Sequence, residues 1–115
     1  MFFTKIGWLL LSTAMSATEH RLLVTNNTGS ELNVKVELNC NPIDGVVVDK
    51  VIAAGDVQRL NFASADPKQT HCFIAKDPKK ESALIVKKHF DGSVCRMVIF
   101  RDEIGGLQLK QGGCQ

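Results

Sequence analysis

Few residues in this sequence have the means to do covalent or acid–base chemistry. They are Cys40, Cys72, Cys95 and Cys114, His71 beside Cys72, and the adjacent carboxylates Asp102-Glu103. A nucleophilic cysteine needs a free thiolate with a base in reach. His71 cannot serve as that base on an extended chain, because neighbouring side chains of a strand face opposite ways. The bland alternative is a surface histidine beside a cystine. Asp102-Glu103 would have to work as a paired-carboxylate hydrolase, but beside Gly105-Gly106 they read as solvated turn acids. No G-x-S-x-G, H-E-x-x-H or phosphate-cradling glycine loop is present. No two cysteines have knuckle spacing and the histidines keep no ligand spacing, which argues against zinc. The chain is therefore read as a non-enzyme without metal or cofactor. An even cysteine count in a small chain reads as two disulfides, with three pairings open.

The N-terminus agrees with an oxidising destination. Lys5 precedes the apolar run Ile6–Leu11, and Ser12, Thr13, Ala14, Ser16 and Ala17 follow. That is the layout of a secretory signal peptide over residues 1–17, and the apolar run is too short to span a bilayer. Residues 18–115 then form one domain that is secreted and extracellular. Cleavage removes Trp8, Phe2 and Phe3, leaving Phe62, Phe73, Phe90 and Phe100 as the aromatics of a chain without tyrosine. Aromatic platforms for sugars or single-stranded nucleic acid are absent from that set. The formal charge of +2, lowered by one when Lys5 leaves, gives no electrostatic footprint for nucleic acid.

The elements that must position these residues are short strands. Leu32, Val34, Val36 and Leu38 alternate with Glu31, Asn33, Lys35, Glu37 and Asn39, the period of a half-buried strand. Cys40 falls in phase with the apolar set, so its sulfur is expected to point inward. Further strands are expected at 20–25, 46–52, 57–62, 71–76, 83–90, 94–101 and 107–110. Asp66-Pro67, Asp77-Pro78 and Asp91-Gly92 punctuate them, the last as a hairpin turn between two strands. The expected fold is all-β: one small β-sandwich of seven to eight short antiparallel strands with two disulfides. Each disulfide would contribute roughly 3 to 4 kcal/mol by loop-closure entropy.

Two surface features carry candidate function. Asn26-Asn27-Thr28 is an acceptor sequence for N-glycosylation at Asn26. Charge is also unevenly spread: residues 31–66 carry a net −3, while residues 68–89 carry six lysines and two acids. Lys76, Lys79, Lys80, Lys87 and Lys88 form a candidate partner-binding patch, a docking edge for an acidic protein loop or an anionic membrane surface.

The order of these features resembles the plant self-incompatibility S1 family, the S-protein homologues. The resemblance runs through Val24-Thr25-Asn26, Leu32 to Cys40, Asn41-Pro42-Ile43-Asp44-Gly45, Ala54-Gly55, Leu60-Asn61-Phe62 and His71-Cys72-Phe73. It closes on Cys95 to Gly105, where Met97 stands in place of the family's tryptophan. It implies a secreted β-sandwich without enzymatic activity, a polypeptide ligand or recognition module for cell–cell signalling. It also implies the pairs Cys40–Cys72 and Cys95–Cys114, and a partner that is an extracellular protein or membrane receptor. The competing expectations are a secreted effector or antimicrobial acting on membranes, and an inhibitor of an extracellular enzyme.

Overall fold

The computed structural model describes residues 18–64, 69–81, 83–89 and 94–114. The expected signal peptide at 1–17 lies outside them, as do the Asp66-Pro67 turn and Phe90. The described residues form strands β1 (Thr18–Asn27), β2 (Leu32–Leu38), β3 (Val46–Ile52), β4 (Val57–Ser64), β5 (Thr70–Lys76), β6 (Ala83–His89), β7 (Val94–Arg101) and β8 (Leu107–Cys114). They make two four-stranded sheets, β4-β1-β7-β8 and β3-β2-β5-β6. The protein is all-β and sandwich-like.

Alternation decides which side chains meet between the sheets. Leu22, Val24, Leu60, Met97 and Ile99 from the first sheet bury against Leu32, Val34, Val36, Ile52 and Phe73 from the second. Burying each such side chain fully is worth roughly 1.5–3 kcal/mol. The residues between them in sequence face solvent, because each strand has only one covered side.

Three expectations are corrected. The strands are not all antiparallel: β1 pairs with β7 in parallel, Arg21 opposite Val94 through Asn27 opposite Phe100. No tight turn links these two strands, so nothing local imposes an antiparallel sense. Asp91-Gly92 lies outside the described residues, and the strands on either side of it, β6 and β7, belong to different sheets and so are not a hairpin pair.

Cys40 does not continue the alternation of β2. Asn39 and Cys40 both have φ of 57°, and the Asn41 N–H donates to the Leu38 carbonyl at 3.0 Å. That is the φ pattern of a type I′ turn, and it ends the strand at Leu38 before the phase of Cys40 can apply.

Candidate functional site

Cys40 and Cys72 form a disulfide, S–S 2.06 Å, with Cα atoms 4.6 Å apart. Cys72 lies opposite Glu37, between the inward-facing His71 and Phe73, so this cystine sits on the outer side of its sheet. Cys72, flanked in register by Glu37 and Lys87, is only 4% exposed. Cys95 is buried within the main core and lies opposite Cys114 in the β7–β8 register.

His71 is not a surface residue; it is fully buried. Its Nδ1 accepts the Asn39 N–H at 3.3 Å, and its ring packs edge-on against Phe62 at 5.8 Å and His20 at 6.2 Å. The His20 Nε2 lies 2.8 Å from the Ser64 hydroxyl. These imidazoles fill the end of the core and stand across the sheet from the cystine. Asp102 organises its own turn, accepting N–H groups from Gly106 at 2.8 Å and Ile104 at 3.1 Å. The Gly106 N–H, followed by the Gln108 amide, holds the Asp102 carboxyl below its ordinary range, with burial acting the other way. Among the described residues, no three of His, Cys, Asp or Glu gather as a metal site.

Asn26 is not available as a glycan acceptor in the folded protein. Its side chain is 0% exposed, and Nδ2 donates to the carbonyls of Ser30 (2.8 Å), Ile52 (2.9 Å) and Ala53 (3.2 Å). A sugar on that nitrogen would have to enter the packed interior. The Asn26 backbone adds two more bonds, donating to the Asp56 carbonyl and accepting the Gly55 N–H. One residue of β1 thereby holds the crossover from β3 to β4.

Beside it lies an ion pair. The Arg101 guanidinium meets the Asp77 carboxylate, bonds the Ser30 hydroxyl at 2.9 Å and reaches the Gly105 carbonyl at 2.9 Å. Asp77, on the turn after β5, also accepts from Ser30 at 3.1 Å and from the Lys79 N–H at 2.9 Å. This network ties loops of both sheets together at one end of the molecule.

The five lysines are spread along the β5–β6 hairpin. Lys76 pairs opposite Ala83 at the β5–β6 turn, where Lys79 and Lys80 also lie. Lys87 and Lys88 stand opposite Cys72 and His71. Lys87 is four residues further along β6 than Ala83, roughly 13 Å away.

Arginines gather on the other sheet. Arg21, Leu23, Arg59, Asn61, Val94 and Arg96 face outward from β1, β4 and β7, in alternation with buried Leu22, Leu60 and Cys95. Leu23 is flanked in register by Arg59 on one side and Arg96 on the other; Arg21 lies between Asn61 and Val94. Two inter-strand steps set Arg59 and Arg96 about 10 Å apart at Cα.

Together with Glu19 these residues line a groove of about 560 Å³. Glu19 accepts from the Arg21 Nε at 3.1 Å, and both side chains are more than half exposed. Opposite Arg96 the β7–β8 register is irregular: the single β7 residue between Cys95 and Met97 faces two of β8, Gly112 and Gly113, and Gly112 lies against Arg96. The extra residue of that β-bulge belongs to β8, while Arg96 keeps its regular place opposite Leu23 of β1.

Sequence reading missed this site because its three arginines lie on strands far apart in the chain. Period-two alternation marks each of them as outward-facing. Nothing local says that β4, β1 and β7 are neighbours.

The geometry defines a class, an all-β protein of two sheets with an outer-face cystine and an arginine-lined groove on the other sheet. No protein-family model matches the chain, and no curated protein matches it significantly. Among solved structures the chain is similar to a protein from Eubacterium rectale determined by NMR. The TM-score is 0.52 at 17% identity, over 82% of this chain and 88% of that one. At that identity the likeness is one of fold.

Proposed function

We propose that this chain is a secreted, cysteine-stapled recognition module that binds an extracellular protein and catalyses nothing, in the manner of the S-protein homologues it resembles. In this reading residues 1–17 are removed on export, and a Cys95–Cys114 disulfide joins Cys40–Cys72 to complete a two-cystine β-sandwich. The convergence of Arg21, Arg59 and Arg96 on the outer face of β4-β1-β7 carries the reading. Three cations from three strands, on a rigid sheet, make a docking face for an anionic partner. The cystine on the opposite sheet fits an oxidising compartment.

The test is binding of the labelled, oxidised protein to the surface of cells from its source. Arg59→Glu with Arg96→Glu should abolish binding while circular dichroism and the melting temperature stay unchanged. Lys79→Glu with Lys80→Glu, at a separate turn, should leave binding intact. The opposite pattern would move recognition to the lysine turn and overturn the arginine face.

A further inference from the structure

We infer that the arginine groove takes an acidic peptide in extended form, with two carboxylates flanking one aliphatic side chain; this rests on the recognition reading above. Arg21, Arg59 and Arg96 face a single anion, Glu19, so the groove carries two uncompensated positive charges. Its floor is apolar: Leu23 and Val94 are both half-buried between the arginines. A ligand that matches both features brings two negative charges and an apolar group between them.

An extended peptide of the form Glu-Xaa-Leu-Xaa-Glu does so. Residues at alternate positions share one face, so its three named side chains point the same way. Its outer Cα atoms lie about 13 Å apart. The Arg59 and Arg96 Cα atoms are about 10 Å apart with Leu23 midway, and their long side chains cover the difference. A guanidinium donates two parallel N–H bonds to a carboxylate, so the arginines fix position as well as charge. A sulfated polysaccharide supplies charge with nothing to cover Leu23 and Val94, and Glu19 repels a dense polyanion. A membrane surface would find little to take up: of the exposed large apolar side chains only Val57 stands beside the cations, and the most exposed, Ile43 and Ile104, lie on turns outside the groove lining.

The experiment is fluorescence polarisation with labelled Gly-Ser-Glu-Ser-Leu-Ser-Glu-Ser-Gly and the oxidised chain. Heparin and phosphatidylserine vesicles serve as competing probes. Replacing both glutamates by glutamine, or replacing the leucine by serine, should each weaken binding by about tenfold or more, equivalent to about 1.4 kcal/mol. Arg59→Gln with Arg96→Gln should weaken the parent peptide as much and leave the glutamine peptide unaffected, with melting temperature as the control for folding.

Equal affinity for the serine analogue, or for the parent peptide after the arginine substitutions, overturns the proposal. So does tighter binding to heparin or to the vesicles. Loss of cell-surface binding on charge reversal, with no peptide bound, keeps the recognition face and removes the acidic peptide. Cell-surface binding that survives charge reversal removes both.

Discussion

The Asn26 amide donates to carbonyls from three positions of the chain, and the residue is shut off from solvent. Asn26→Ala removes those donors and leaves at least one buried acceptor unmatched, at a cost of roughly 1–3 kcal/mol. Urea unfolding of the purified variant checks this. Intact mass of the protein expressed through a eukaryotic secretory pathway should not change on glycosidase treatment. Asp77 makes a pH-dependent contribution. The Lys79 N–H, then the Ser30 hydroxyl and the Arg101 guanidinium, hold its carboxyl below the ordinary value of 3.8, while burial acts against them. A carboxyl lowered in the folded state stabilises fully above 3.8 and loses that contribution as pH falls through the lowered folded value. The melting temperature of Asp77→Asn should therefore lie below that of the parent at neutral pH, with the gap closing as the pH drops from about 5 toward 2. An unchanged gap across that range would remove Asp77 as the titrating group. None of this was legible in Asn26-Asn27-Thr28 or Asp77-Pro78 as strings, since their partners lie tens of residues away.

At the scale of elements, the strands read from alternation and turn residues, and their neighbours did not. Leu32 to Leu38 shows its period plainly, and Val46–Ile52 and Val94–Arg101 begin and end where the apolar runs do. β8 runs on to Cys114, past the expected Lys110, because pairing with β7 supplies order that Gln111-Gly112-Gly113 lacks on its own. Sheet membership depends on contacts between distant segments, so the β1–β7 pair left no local trace, and with it went the arginine face. The β8 bulge opposite Arg96 offers a test of how an element sets a site. A Cβ at Gly112 would lie 3.2 Å from the Arg96 Cβ and 3.5 Å from its carbonyl oxygen. Gly112→Ala should push the Arg96 side chain aside and weaken acidic-peptide binding several-fold, about as much as Arg96→Gln alone. Gly55→Ala, at a turn far from the groove, should leave binding unchanged despite its positive φ. Equal binding by Gly112→Ala and the parent would show that the bulge does not position Arg96.

Across the whole molecule, the Cys40–Cys72 bond and the proposed recognition face lie on different sheets. The Cys40–Cys72 bond links two parts of one sheet 32 residues apart and crosses no layer. The sheets meet instead through Leu22, Met97, Val34 and Phe73 in the core and through the Arg101–Asp77 network at one end. For a loop of that length the chain-entropy account gives a stabilisation of about 4 kcal/mol, exerted on the unfolded chain. A domain of this size holds only about 5–15 kcal/mol in all, so the loss is a large share of the total. Cys40→Ser with Cys72→Ser should therefore lower the free energy of unfolding by about 4 kcal/mol in urea titrations. Peptide affinity at the arginine groove should not change at temperatures where the variant is folded, because β4, β1 and β7 keep their register without that cystine. If affinity fell in step with stability, the groove would depend on tension carried between the sheets. The independence of the arginine face from the Cys40–Cys72 bond would then be wrong.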